Sequence, residues 1–130
     1  MASMRARLDR IKDDPAVLID PGTVERACRE AGHRWRERAL DPVRTLEAFA
    51  LQVAHGNTAI AHLVRLTGGG FTESAYCQAR ARLPVAGVRA VLDDRTARAG
   101  NSDGLWRGHR VALIDGTGVS APDTPELREA

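Results

Sequence analysis

The chain is poor in aromatic residues and in cysteine, and each shortage limits what it can be. Aromatic residues make up 4% of the 130 residues, so a hydrophobic core has to consist mostly of Ala, Val and Leu. Cys28 and Cys77 are the only cysteines. Two isolated cysteines exclude a disulfide framework and a cysteine-based metal site, and we expect both to be reduced, buried thiols on helical faces.

Long apolar runs and targeting signals are absent as well. No apolar run in the sequence reaches the roughly 18 residues that a membrane span needs, and no charged start leads into an apolar signal core. We see no internal repeat. The length suits one domain, or a small domain with a piece of another. Because the sequence has neither a membrane span nor a signal core, we expect a cytoplasmic protein with no membrane partner.

Positive charge is present almost entirely as arginine. Lys12 is the only lysine, and the net charge is +2. Residues 26–110 contain 14 arginines and 8 acidic residues, whereas residues 111–130 contain one arginine and four acidic residues. The basic middle of the chain suits contacts with phosphate, although a GC-rich genome would produce the same preference for arginine.

Capping and glycine signals divide the first hundred residues into predicted helices. Asp20 and Asp41 each precede a proline, which is a good helix start, and Gly32, Gly56 and Gly68 mark helix ends. The predictions are a short helix that Pro15 ends, and helices over about 21–32, 42–55, 58–68 and 73–83, then one from 84. Asn57 or Thr58 would cap the fourth of these, and Thr72 or Ser74 the fifth. Their predicted apolar faces include Leu46, Phe49, Ala50 and Val53; Ala59, Ile60, Leu63 and Val64; Tyr76, Ala79 and Leu83; and Val85, Val88 and Leu92.

Three of these short helices, joined by tight glycine turns, have the general form of a helix-turn-helix unit. The last one carries Gln78, Arg80 and Arg82, and Arg89 follows on the next helix. In the major groove a Gln can pair with an adenine edge and an Arg with a guanine edge. These four residues are our candidate DNA-binding residues. A small helical bundle whose arginines are merely solvated is an equally good interpretation.

A basic and aromatic stretch, His33-Arg34-Trp35-Arg36 with Arg38, precedes this unit. Such a mixture can bind a nucleic-acid backbone, because arginine pairs with phosphate and also stacks on rings. More often it is a helix that buries its Trp and leaves its arginines in water. Both interpretations stay open from the sequence.

Residues 110–125, RVALIDGTGVSAPDTP, contain the strongest strand signal. Four apolar residues lead into Asp115, and Gly116 then opens a turn toward Val119 and Ser120, which predicts a β-hairpin. A carboxylate at the end of such a strand can bind Mg²⁺. Asp-Gly is also a common turn dipeptide, so a simple capping role for Asp115 remains an alternative.

The string LIDGTGVSAPDTPE resembles the segment around the first catalytic aspartate of IS4-type transposases, which are insertion-sequence enzymes with an RNase H-like DDE core. YCQARARLP at residues 76–84 and WRGHR at residues 106–110 resemble the same family at the expected distances. The likeness covers roughly residues 41–126. It implies a mainly α fold, in which a small helix-turn-helix-like bundle is followed by the first β-hairpin of a truncated RNase H-like α/β domain.

The resemblance also implies a chemistry, which is phosphoryl transfer on DNA. In a DDE core two aspartates and a glutamate hold two Mg²⁺ or Mn²⁺ ions, which activate a water or a 3′-hydroxyl for in-line attack. Asp115 would be the first of these aspartates and a metal ligand, whereas Asp123 would cap or orient the following turn. The family's second aspartate and its glutamate lie far downstream. We therefore expect these 130 residues to hold no metal and to be inactive alone.

The resulting domain prediction has three parts. Residues 1–20 form a flexible arm or a short helix, residues 21–99 a helical DNA-binding domain, and residues 100–130 a linker with the first strand or hairpin of a truncated catalytic domain. The expected partner is double-stranded DNA at transposon ends, and the full-length family can form homodimers. Two alternatives remain: a helix-turn-helix regulator without catalysis, and an inert pseudogene product with no appreciable affinity for DNA.

Overall fold

The computed structural model describes residues 4–36 and 39–100, and this part of the chain is mainly helical, with no strand. The α-helices are α1 (Met4–Asp13), α2 (Pro21–Glu30), α3 (Pro42–Ala54), α4 (Ile60–Leu66), α5 (Glu73–Arg82) and α6 (Val85–Gly100), and a 3-10 helix (Pro15–Leu18) precedes α2. The prediction of a mainly helical chain is confirmed. The predicted hairpin around Asp115 lies outside the described residues.

The two Asp-Pro signals start helices as predicted. The Asp20 carboxylate accepts a hydrogen bond from the Thr23 amide at 2.9 Å, and the Asp41 carboxylate accepts one from the Arg44 amide at 2.8 Å. A proline follows each cap at a position where a helix needs no amide donor. The hydrogen bonds from Thr23 also lower the pKa of Asp20.

Glycines follow the ends of α2, α3 and α4, because they adopt left-handed backbone angles that other residues avoid. Gly56 has φ +70° after α3, and Gly68 has φ +79° after α4. Thr72 caps α5 by accepting a hydrogen bond from the Ala75 amide at 3.1 Å, so that prediction is confirmed. The start of α4 was predicted wrongly: Ala59 occupies the cap position without a side-chain hydrogen bond.

Helix α3 lies at the centre of the fold and contacts α1, α2, α4, α5 and the 3-10 helix. Two hydrophobic clusters share it. The first cluster consists of Ile19, Val24, Cys28, Val43 and Leu46, and the second consists of Ala48, Leu51, Leu63 and Tyr76. Because α3 supplies residues to both clusters, it fixes the position of α2 on one side and of α4 and α5 on the other.

The predicted apolar faces of two helices are partly wrong. Phe49 and Val53 on α3 are 37% and 49% exposed, and Val85 and Leu92 on α6 are 75% and 62% exposed. Helix α3 has apolar residues on most of its sides, and its neighbours cover two of them: Val43 and Leu46 are buried in the first cluster, and Ala48 and Leu51 in the second. Spacing along one helix does not determine which side the neighbouring helices will bury.

Helices α2 and α6 approach closely at Cys28 and Gly87. A methyl group added at Gly87 would lie 2.8 Å from the Cys28 sulfur, which is closer than packed atoms come. Cys28 is buried, as predicted, and burial raises the pKa of its thiol. Cys77 is exposed, so the prediction that both thiols are buried is wrong. Helix α5 buries the side that carries Tyr76, and Cys77 lies about 100° further around it.

Helix α6, which the sequence predicted from residue 84, runs from Val85 to Gly100. The Nε atom of Arg98 lies 2.9 Å from the Asp94 carboxylate, one turn back on the same helix. The Nε atom of Arg95 donates a hydrogen bond to the Leu18 carbonyl at 2.9 Å. These contacts support the last turns of α6 and attach them to the 3-10 helix.

Candidate nucleic-acid interface

An open groove of about 760 Å³ runs between α5 and the chain that connects α2 to α3. Its polar and charged lining residues are His33, Arg34, Arg36, Asp41, Thr45, Thr72, Gln78 and Arg82. Asp41 is the only acidic residue among the described lining residues, and its carboxylate already caps α3. The groove therefore presents more positive than negative charge to a ligand.

One wall of the groove is the exposed polar face of α5. Ser74, Gln78 and Arg82 follow each other at intervals of one helical turn, so they share a face. The Gln78 side-chain amide donates to the Ser74 hydroxyl at 3.4 Å, and an Arg82 Nη atom donates to the Gln78 amide oxygen at 2.8 Å. The structure thus brings together two of the four candidate DNA-binding residues.

Arg80, the third candidate, lies on another side of α5. It is about 200° around the helix from Gln78, because each residue advances by about 100°. One Nη atom of Arg80 donates to the Gln52 amide oxygen on α3 at 3.3 Å, and its guanidinium lies 5.5 Å from the centre of the Tyr76 ring. Arg80 thus contacts α3 at the junction between α3 and α5.

Gln52 is the centre of a polar network that the sequence did not reveal. The Tyr76 hydroxyl donates to its amide oxygen at 2.8 Å, and its amide nitrogen donates to the Thr58 carbonyl at 2.9 Å. Burial raises the pKa of Tyr76, so the phenol stays protonated and remains a donor. The network joins α3, the loop before α4, and α5. The only sign of this network in the sequence is that Gln52 is a single polar residue in an apolar stretch of α3, and this signal is weak.

Residues 33–36 form the opposite wall and alternate between half-buried and exposed positions. Trp35 packs against the first core cluster, the guanidinium of Arg29 lies 4.6 Å from the centre of its ring, and the His33 ring stacks on it at 5.7 Å. Arg34 and Arg36 are exposed and line the groove. The tryptophan therefore packs on the core and also lines the groove, and the two arginines face the same space as Gln78 and Arg82. Arg38 lies outside the described residues.

The remaining candidates lie elsewhere. Arg89 is exposed on α6 and does not line the groove. Asp115, the candidate catalytic residue and metal ligand, lies outside the described residues. Within residues 4–36 and 39–100 no group of three His, Cys, Asp or Glu side chains could hold a metal ion. His55 and His62 are in edge contact, with ring centres 6.2 Å apart, and His62 Nδ1 shares a hydrogen bond with the Thr58 hydroxyl.

The groove offers chemistry suited to an anionic polymer. Arginine presents a planar fork of donors that fits phosphate oxygens or the acceptor edge of guanine, and glutamine offers both a donor and an acceptor. Among the helices described here, none is long and apolar enough to cross a membrane.

Comparison of this chain with protein-family profiles, with curated proteins and with solved structures finds no match.

Proposed function

We propose that the chain is the amino-terminal portion of an IS4-type DDE transposase and that α5 binds double-stranded DNA at the transposon ends. The observation that carries DNA binding is the pairing of Gln78 with Arg82 on the exposed face of α5, at the wall of a basic groove. The assignment to transposases rests on the sequence resemblance at residues 76–84, 106–110 and 113–126.

The arrangement of three helices supports a helix-turn-helix mode of binding. Helices α3, α4 and α5 contact one another pairwise, and α5 is the last of the three. Its 10 residues span about 15 Å, comparable with the width of about 12 Å of the DNA major groove. In this mode Arg82 pairs with a guanine and Gln78 with an adenine. Their mutual hydrogen bond holds both side chains in place before DNA arrives.

Arg80 and Arg89 have different roles in this proposal. Arg80 is committed to Gln52, so it fixes the rotation of α5 and thereby the direction in which Gln78 and Arg82 point. Arg89 lies on another helix and makes no base contact. The proposal therefore assigns base recognition to Gln78 and Arg82 alone.

The proposed chemistry rests on the resemblance of the sequence to IS4-type transposases. Asp115 would hold Mg²⁺ or Mn²⁺ together with a second aspartate and a glutamate of the complete enzyme. Substitution of Asp115 by Asn should abolish strand cleavage by that enzyme and leave the DNA affinity of α5 unchanged.

Fluorescence anisotropy of a labelled duplex, chosen by selection from a random pool, tests DNA binding between about 50 and 200 mM salt. We expect Arg82→Ala and Gln78→Ala each to cost about 1–3 kcal/mol on the selected duplex, which is about fivefold to 150-fold in affinity. Arg10→Ala on α1 removes the same charge as Arg82→Ala, outside the groove, and serves as the matched control. Absence of binding at 50 mM salt, or equal losses in the Arg10 and Arg82 variants, would contradict the proposal.

A helix-turn-helix regulator is the second candidate, because the α3, α4 and α5 arrangement would serve it equally well. The selected sequence separates the two functions. Sites located in the terminal repeats of mobile elements support a transposase, whereas sites located only at promoters support a regulator.

A further inference from the structure

We propose that Arg34 and Arg36 form a phosphate-binding strap, which holds one strand of the DNA backbone across the groove from α5. The strap is defined as residues 33–36. This inference rests on the proposed function and deepens it, because it divides the interface into a helix that reads bases and a strap that binds the backbone without reading sequence.

The strap owes its orientation to Trp35. Exposure alternates along residues 33–36, so that the tryptophan turns toward the first core cluster while the arginines on either side of it turn outward. Both arginines line the same groove as Gln78 and Arg82. The packing of the half-buried Trp35 against this cluster therefore orients its two neighbouring guanidinium groups toward one space.

The strap is also held in place before any ligand binds. The His33 amide donates to the Cys28 carbonyl at the end of α2, at 2.9 Å. The Trp35 ring is held in place as well, because the Arg29 guanidinium makes a cation–π contact with it and the His33 ring stacks on it. A backbone that is already fixed loses little conformational entropy on binding, so most of the attraction between arginine and phosphate appears as affinity.

The charges of the groove favour an anion at this position. Within the described residues, neither Arg34 nor Arg36 forms an ion pair. Asp41 is the one described acidic residue of the groove, and its carboxylate is engaged by the Arg44 amide. A guanidinium that no described carboxylate pairs with, beside a helix suited to the major groove, is placed where a DNA backbone would run.

The test compares two double variants that lose the same charge. Arg34→Ala/Arg36→Ala removes the strap's guanidinium groups, and Arg5→Ala/Arg7→Ala removes two exposed arginines from α1. Binding is measured by anisotropy on the selected duplex and on an unrelated duplex, between about 50 and 200 mM salt. Loss of two phosphate contacts should reduce the slope of log affinity against log salt by about 1.8 on both duplexes. Over that salt range the affinity of the unaltered chain should fall about 12-fold further than that of the strap variant.

Several results would overturn the proposal. An unchanged slope in the strap variant, with binding retained, overturns the strap and leaves DNA binding by α5 standing. A loss confined to the selected duplex, or an equal loss in the α1 variant, also overturns the strap, since the first indicates base recognition and the second a general charge effect. No duplex binding by the unaltered chain overturns both the strap and the proposed function.

A conservative variant tests the role of charge directly. Arg34→Lys/Arg36→Lys keeps both positive charges, so it should retain the salt slope of the unaltered chain while losing the bidentate geometry of arginine. A slope as low as that of the alanine variant would show that charge is not the cause and would overturn the strap. Far-UV circular dichroism of every variant should match that of the unaltered chain, because both arginines are exposed.

Discussion

Replacement of Gly87 by alanine should destabilise the protein, although alanine is normally the better helix residue. Gly87 lies within α6, where a glycine costs about 0.5–1 kcal/mol relative to alanine in an unobstructed helix. The new methyl group, however, would lie 2.8 Å from the Cys28 sulfur on α2. The steric conflict and the gain in helix propensity therefore oppose each other.

The steric conflict should win because Cys28 has little room to move. Its side chain is completely buried in the first core cluster, and overpacking of such a site typically costs about 1–3 kcal/mol. Subtraction of the helix gain leaves a net destabilisation between about 0 and 2.5 kcal/mol, with a midpoint of about 1 kcal/mol. The apolar contact between α2 and α6 should loosen first, because the methyl group pushes these two helices apart.

Urea unfolding followed by circular dichroism measures this change, and two further variants make the result specific. Gly22→Ala, in the first turn of α2, adds a methyl group whose nearest neighbour would lie at 3.9 Å, so it should be neutral or stabilising. Cys28→Ala removes the sulfur, and in that background Gly87→Ala should no longer destabilise. A Gly87→Ala variant that is as stable as Gly22→Ala, or one whose cost is unchanged in the Cys28→Ala background, would refute the reasoning.

Three further predictions concern the groove and the buried polar groups. Asp41→Asn keeps a good helix cap and removes a negative charge from the groove, so the affinity for duplex DNA should rise by up to about fivefold. The unfolding free energy should stay within about 0.5 kcal/mol of that of the unaltered chain. An unchanged affinity would place DNA binding elsewhere. Tyr76→Phe removes the hydrogen bond to Gln52 and should cost about 0.5–1.5 kcal/mol in urea unfolding. Because burial raises the pKa of Tyr76, its contribution to stability is present below about pH 10 and lost as the pH rises through its folded-state pKa, and the Phe variant should lack that alkaline loss. Burial, and then nearby carboxylates, raise the pKa of Glu47, so folding favours its protonated form. Glu47→Gln should therefore stabilise the protein more at neutral pH than below pH 4.5. A gain in unfolding free energy that is independent of pH would contradict this.

The helix boundaries could be predicted because their causes are local. At Asp20 and Asp41 the capping carboxylate accepts a hydrogen bond from an amide only three residues further along the chain, so the cap can be recognised from the sequence alone. The same is true of Gly56 and Gly68, whose left-handed backbone angles end the helices before them. Such signals need no information about neighbouring helices.

The buried faces could not be predicted in the same way, because they depend on which helices pack together. The face with Phe49 and Val53 has helical spacing as regular as the one that is buried, and only contact with five neighbouring elements distinguishes the two. Gln52 was missed for the same reason. Its partners Tyr76 and Arg80 are 24 and 28 residues away in sequence.

The candidate site was predictable only within one helix. Spacing of one turn places Gln78 and Arg82 on a common face, and the structure has them there. The position of Arg34 and Arg36 across the groove depends on the path of the chain between α2 and α3, which no local pattern determines. The structure therefore places residues 33–36 and α5, which the sequence presented separately, on two walls of one groove.

The position of α3 between the two core clusters has a consequence for protein engineering. A recognition helix is often transplanted together with the helix that precedes it. Here α4 and α5 would leave behind Ala48 and Leu51, on which Leu63 and Tyr76 pack, and also Gln52, which orients α5. The smallest portable unit therefore begins at α3, and even that unit would expose Val43 and Leu46, which α2 normally covers. The proposed DNA-binding surface cannot be exchanged as a cassette without most of the helical domain that carries it.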